Sequence, residues 1–326
     1  MRPRLVYALL VVAVLGAALL AVPGVRHELA SLGTQARAAA GVPVGPTWQL
    51  ADQSAPPIPV MRVPEGGVTT PPGLNFFGWS LLDRKTGQTI AHSDNAATAT
   101  NYTESMIKVW IASDFLSRTV KAGKKPTQHD LDQLRLMIIH SDDTIAQHYY
   151  VLDGKDAVIS RLNQTCGTHA TIHTPGHWSY TNMTPDDATR YGLCVANGAA
   201  AGDYTAQVLG WMKAVEGGVD DQVHTPRVHT GGGHWGIIDG LPPQLAAQAS
   251  IKNGWEPEND THDWNVNCLA IVDDYVLSVM VRYPWTASNI PPGTDWAHQY
   301  LYFDNLQPGA DACRSVASQL AYVPAG

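Results

Sequence analysis

Ser105 and Lys108 stand three residues apart in the run TESMIKVW. On a helix, residues i and i+3 share a face, so this spacing brings a hydroxyl and an amine to one spot. Serine becomes a nucleophile when a neighbouring base takes its proton, and lysine can serve if burial drives its amine toward the neutral form. Two more polar clusters interrupt apolar patterns, Ser141-Asp142-Asp143 and Lys252-Asn253-Gly254. They supply a second hydroxyl to relay a proton, a carboxylate, and a second amine whose charge suits a substrate carboxylate. Each cluster alone also has a plain structural use. Ser105 could be an ordinary residue at a helix start, Ser141 with Asp142 a helix cap, and Lys252 a snorkelling strand residue.

The elements that must position these residues are legible around them. NFFGWSLLDRKTGQTIAHS alternates as two strands joined by a turn at Lys85-Thr86-Gly87. Ile107, Trp110, Ile111 and Phe115 then recur at helical spacing up to Gly123, which puts Ser105 at the start of a helix. Thr127 to Asp130 reads as a capping box opening a second helix with Leu131, Leu134, Met137 and Ile138 inward. Thr184-Pro185-Asp186-Asp187 starts another helix, with proline at its first position and acids in its first turn. The chain returns to strands in AQASIKNGW, NVNCLAIVDD and YVLSVMVRYP, then closes with a helical stretch around Ala310 to Tyr322. Strands at both ends and helices between predict an α/β (α+β) fold: an antiparallel sheet built from both chain ends and flanked by helices, with an inserted all-helical lobe.

The chain has 326 residues, 44% of them hydrophobic, which is enough for a sizeable core. A net charge of -8 without a basic stripe argues against a nucleic-acid partner. Arg2 and Arg4 precede an uncharged apolar run from Leu5 to Val22, the pattern of an export signal. No small-x-small cleavage site follows at once, so an uncleaved membrane anchor is favoured over a cleaved signal; the protein is expected outside the cytoplasm, anchored or secreted. Residues 1–24 are read as signal or anchor, and 25–72 as a Pro/Gly-rich linker, with eight prolines between Gly41 and Pro72. Residues 73–326 are the folded domain, with sheet parts 73–104 and 245–326 and a helical lobe 105–244. Four cysteines in an exported chain suggest two disulfides in one of three connectivities, and the expected pairing joins sequence neighbours, Cys166 to Cys194 and Cys268 to Cys313. Histidines 169, 173, 177 and 224, 229, 234 form two series, but Pro175 and Pro226 break any helix that would align them, and neither a metal nor another cofactor is expected.

In chain order the clusters read S-x-x-K, S-D-D and K-N-G, and the sequence resembles the serine β-lactamase and penicillin-binding protein superfamily, in particular class A β-lactamases, whose signature is S-x-x-K, S-D-N and K-T-G. The resemblance covers roughly Gly73 to the C-terminus. It implies a serine hydrolase domain in which Ser105 attacks, Lys108 is the base, and Ser141 passes a proton to the departing nitrogen. The oxyanion would sit between the backbone N–H groups of Ser105 and Trp255, while Asp143, Lys252, Asn253 and Gly254 line the substrate side. The substrate would be a β-lactam or a peptidoglycan-derived D-alanyl amide carrying a carboxylate. Three departures stand out. The interval from Ser105 to Ser141 (36 positions) is shorter than in class A enzymes, which implies a more open cleft. No glutamate occurs from Ser105 to Val215, where those enzymes carry the one that activates the deacylating water, so acylation should outlast deacylation. Finally, Asp143 stands where the family has asparagine, and facing Lys108 it would favour the ammonium form, or else satisfy a backbone N–H. A non-catalytic binding protein of the cell envelope with the same fold is the alternative.

Overall fold

The computed structural model describes residues 58–222, 231–286, 290–294 and 305–324. The expected signal or anchor at 1–24 lies outside them, and among the described residues no helix is long and apolar enough to cross a membrane. The strands are β1 (Val60–Met61), β2 (Phe76–Asp83), β3 (Thr89–His92), β4 (Asn101–Tyr102), β5 (Thr171–Ile172), β6 (Thr181–Met183), β7 (Ser250–Glu258), β8 (Asp263–Val272), β9 (Tyr275–Pro284) and β10 (Ala321–Tyr322). The helices longer than one or two turns are α1 (Lys108–Lys121), α2 (Gln128–Ile139), α3 (Asp143–Leu152), α4 (Ala157–Cys166), α5 (Pro185–Ala196), α6 (Thr205–Lys213) and α7 (Gln307–Leu320).

A five-stranded antiparallel sheet in the order β3-β2-β9-β8-β7 joins the N-terminal hairpin to the three late strands, as the sequence pattern predicts. In the β2–β3 turn Asp83 accepts the Lys85 and Thr86 amides and Gly87 takes a left-handed φ of 71°. Strand β8, which lies between β9 and β7, is buried along its whole length. Side chains alternate along a strand, so Val266 and Leu269 lie on opposite faces. α7 packs on the first face, where a Cβ at Gly309 would meet Val266 at 2.7 Å. α5 packs on the second, where a Cβ at Gly192 would meet Val276 at 2.5 Å and Leu269 at 3.2 Å. The helical middle shares that second face. Its α2 carries the expected capping box, with the Asp130 amide donating to Thr127 Oγ1 at 3.1 Å and the Thr127 amide to Asp130 Oδ2 at 2.9 Å. α5 begins as expected, with Asp187 N donating to Thr184 Oγ1.

Some boundaries differ from the sequence reading. β1 pairs antiparallel with β10, and residues Pro57–Gly326 form one compact unit, so the folded body begins before Gly73 and takes in the end of the segment read as linker. The middle of the chain is also not purely helical, since β4, β6 and β5 form a small three-stranded sheet. Strands of two or three residues are too short to display a period. The last helix stops at Leu320, because Ala321 and Tyr322 are drawn into the pairing with β1. Both expected disulfides are present, Cys166–Cys194 and Cys268–Cys313.

Candidate active site

Ser105 is not on the helix proper but in a 3-10 turn, Glu104–Ile107, that leads into α1. The turn is held from three sides. Asn101 Nδ2 donates to Asn267 Oδ1 at 2.9 Å, and Asn267 Nδ2 donates to Tyr102 O at 2.6 Å, tying β4 to the sheet face just before the turn. Thr103 N donates to Thr181 O on β6, and Tyr191 Oη on α5 donates to Met106 O. Glu104 sits at a φ of 46°, a conformation that non-glycine residues take only when their surroundings impose it. Ser105 is half-buried on the wall of a cavity of about 290 Å³, with Glu104, Asp143, Gln147, His177, Trp178, Ser179, Tyr180 and Glu256 around it.

β7 forms the other wall. A Cβ at Gly254 would overlap Thr103 O and approach Met106 N at 2.7 Å and Ser105 N at 2.8 Å, so only glycine lets the strand press backbone to backbone against the turn. Alternation places Lys252, Gly254 and Glu256 on the face that carries Asn267, toward the helices. Asn253 takes the opposite face, with Cys268 and Cys313. Its amide donates to Gly233 O and Trp235 O, each at 2.8 Å, so both of its N–H groups serve the loop after Gly231 instead of a substrate carboxylate. Trp255 is half-buried and packs edge-on against Trp235 with ring centroids 5.3 Å apart.

Lys108 and Lys252 are both fully buried and meet at Ser141. Lys108 Nζ lies 2.5 Å from Asp143 Oδ1, 2.5 Å from Ser141 O and 3.1 Å from Ser141 Oγ. Lys252 Nζ lies 3.0 Å from the same Oγ, 2.7 Å from Asn253 O and 3.4 Å from Gly232 O. Ser141 holds a left-handed φ of 57° between α2 and α3, and Asp142 caps α3 by accepting the Ile145 amide. The triglycine segment from Gly231 packs on the end of α2, where a Cβ at Gly232 would overlap Ile139 O, and this carries Gly232 O to Lys252. Burial pushes Lys252 well below the usual lysine range; the charge of Lys108 acts in the same direction and that of Asp143 opposes.

The structure therefore gathers Lys108, Ser141, Asp143 and Lys252 into one hydrogen-bonded cluster beside the cavity that Ser105 lines, with Gly254 behind it. Of the four acids and histidines near the Thr184 helix start that could stand in for the missing glutamate, Asp186, Asp187, His173 and His177, His177 alone lines the cavity. Asp186 faces His92, Asp187 holds the His169 amide and Arg190, and His173 packs on Tyr102. The sequence reading overlooked Glu104, Glu256 and Glu258. Glu258, nearly buried on β7, hydrogen-bonds Glu104 and Tyr180, and burial together with the charge of Glu256 raises its carboxyl to about 7. The available signal was parity, since Glu256 and Glu258 continue the face of Lys252. Among the described residues no cluster of histidine, cysteine and acidic side chains could hold a metal; His224 and His229 lie outside them.

No protein-family profile matches the chain. Proteins named lipoprotein LppW from Mycobacterium tuberculosis and Mycobacterium bovis are 27% identical over 180 residues, which is 54% of this chain and 52% of theirs. The chain thus spans about half the length of the curated relatives it matches. Solved structures of similar fold include a class A β-lactamase from Bacteroides cellulosilyticus, with TM-score 0.52 and 13% identity over 76% of this chain and 93% of that one. The TLA-1 extended-spectrum β-lactamase gives 0.51 and 12% over 76% and 94%. A mutant of the penicillin-binding protein PBP-A, solved as an acyl-enzyme with penicillin G, gives 0.50 and 16% over 76% and 89%. At such identities the likeness speaks for the fold, and the fold of this chain is that of the serine β-lactamases and penicillin-binding proteins.

Proposed function

We propose that the protein is an extracytoplasmic serine acyl-transfer enzyme in which Ser105 is acylated by β-lactams or by D-alanyl-peptide-like amides. The observation that carries this reading is the convergence of three sequence-distant motifs on one place: Ser105 on the cavity wall, and Ser141 bridging Lys108 and Lys252 next to it. Attack on an amide carbonyl needs a nucleophile, a proton acceptor, a donor for the leaving nitrogen and N–H groups for the oxyanion. Ser105, the lysine pair, Ser141, and the amides of Ser105 and Trp255 fill those roles. The substrate carboxylate would meet the positive side of the lysine pair.

The acyl-enzyme should be long-lived, because no glutamate occurs between Ser105 and Val215 to activate water. Export to the envelope is supported by the basic-then-apolar N-terminus, by the two disulfides, and by the name lipoprotein borne by the mycobacterial relatives. Membrane attachment through the N-terminal segment fits the same features.

Incubating the purified protein with benzylpenicillin and recording its intact mass, beside the Ser105→Ala variant, tests the reading. A stable adduct on the wild type alone is expected. Absence of any adduct, with no loss of penicillin from solution, would instead favour a binding-only envelope protein, a role to which the Lys108–Asp143 pair would also lend itself.

A further inference from the structure

The two buried lysines share one hydroxyl but differ in every other partner. Lys108 Nζ faces a carboxylate, a carbonyl and Ser141 Oγ, three acceptors for the three N–H groups of an ammonium. Lys252 Nζ faces two carbonyls, Asn253 O and Gly232 O, and Ser141 Oγ. Among the described residues no carboxylate lies within ion-pair reach of it. A neutral amine has two N–H donors and one lone pair, so the carbonyls use both donors and the lone pair is left for the Ser141 hydroxyl proton. Ser141 Oγ in turn has lone pairs for the Lys108 ammonium. Every hydrogen then has a direction: Lys108 donates to Ser141, and Ser141 donates to Lys252.

The other two assignments are worse. With both lysines charged, two fully buried ammonium groups would converge on one hydroxyl oxygen, with the Asp143 carboxylate paired to Lys108 and not to Lys252, and the Ser141 proton could bond neither of them. With Lys108 neutral and Lys252 charged, the Asp143 carboxylate would face an uncharged amine at 2.5 Å while the buried ammonium had only carbonyls and a hydroxyl around it.

We propose that Lys252 is the neutral amine of this site and, through Ser141, the base that accepts the Ser105 proton, while Lys108 is a fixed ammonium paired with Asp143. This reverses the roles that the motif order implies for the two lysines, and it rests on the acyl-transfer reading. As Ser105 Oγ bonds to the carbonyl carbon, its proton passes to Ser141 Oγ and the Ser141 proton passes to the lone pair of Lys252. When the C–N bond breaks, the Lys252 ammonium returns a proton to Ser141, which gives its own to the departing nitrogen. Lys252 ends neutral, the amine leaves protonated, and the acyl group stays on Ser105. The positive charge on Lys252 therefore exists only while the oxyanion exists, when it helps most. Its depressed affinity for a proton, caused first by burial and then by Lys108, accords with the role.

Titrating the full protein with lysine labelled with 15N at Nζ tests the assignment directly, with Lys252→Arg and Lys108→Arg identifying the two signals. The charged or titratable groups around Lys252 are Lys108 and Asp143, with Glu104, Glu256 and His177 on the neighbouring cavity, so the direct signal is needed besides a rate profile. The expected result is that the signal absent from Lys252→Arg is the one that titrates far below free lysine, while the Lys108 signal remains ammonium through that range. Acylation by benzylpenicillin should also slow by about 100-fold or more in Lys252→Arg, since arginine cannot give up its proton. A low-titrating signal that vanishes only in Lys108→Arg overturns the proposal, and so does rapid acylation of Lys252→Arg. If the wild type forms no adduct while the Lys252 signal titrates low, the acyl-transfer reading fails and the lysine assignment stands.

Discussion

Gly254→Ala adds a single methyl group at the point where β7 meets the nucleophile turn. The new Cβ would overlap Thr103 O and lie 2.7 Å from Met106 N and 2.8 Å from Ser105 N, all three of them backbone atoms. No side chain can rotate away, so either β7 or the turn has to move. Overpacking of this kind costs typically 1–3 kcal/mol, and a purely backbone clash belongs at the upper end, about 3 kcal/mol. For a domain of this size about 2 °C is lost per kcal/mol, so the melting temperature should fall by about 6 °C. The same movement displaces the Ser105 amide relative to β7. A shift on the order of 1 Å in reacting geometry costs roughly 100-fold in rate, and the acylation rate should drop on that scale. Circular dichroism melts and the rate of penicillin adduct formation measure the two effects. Gly210→Ala is the control, because a Cβ there meets nothing within 4 Å and alanine suits the interior of α6, so stability should rise by about 1 kcal/mol. A Gly254→Ala protein that melts and acylates like the wild type would refute the claim that this contact sets the geometry of the turn.

Further predictions concern charge and cross-links. Asp143→Asn removes the carboxylate that raises the proton affinity of Lys252, so the alkaline-rising limb of the acylation profile should move to lower pH and acylation at neutral pH should quicken; a shift to higher pH would contradict the arrangement. Glu258, raised from 4.5 to about 7 chiefly by burial, binds a proton more tightly folded than unfolded. Its contribution to stability is complete below about 4.5 and is lost as pH rises toward 7, so urea midpoints measured from pH 4.5 to 8 should show a downward step that Glu258→Gln flattens. Replacing Cys268 and Cys313 together by alanine opens a cross-link spanning 45 residues and should cost about 4 kcal/mol in the same assay.

Much of the site was legible because its residues obey short-range rules. A spacing of three places Ser105 and Lys108 on one side whether the local turn is 3-10 or α, and the polar Ser141 stood out against the apolar period of α2. The capping signals at Thr127 and Thr184 were equally local and both hold. What escaped depends on which strand lies beside which. Asn253 was expected to contact substrate, yet strand parity turns it toward Cys268, a consequence visible only once the register of β7 on β8 is known. Glu104 carried no motif of its own; it matters because β7 brings Glu256 and Glu258 against it across some 150 residues of chain. β1 was hidden among prolines, since two residues that pair with the other end of the chain leave no pattern in sequence.

The pairing of β1 with β10 has a mechanical consequence. Val60 lies opposite Tyr322, Met61 opposite Ala321, and the Arg62 guanidinium covers the Tyr322 ring. The chain thus enters and leaves the folded body at the same clasp. Tension applied between those two points would open it like a zip, loading one rung at a time instead of shearing all of them together. The clasp is therefore the fuse of the domain: under load it yields first, and it relieves strain before any reaches the sheet or the turn that carries Ser105.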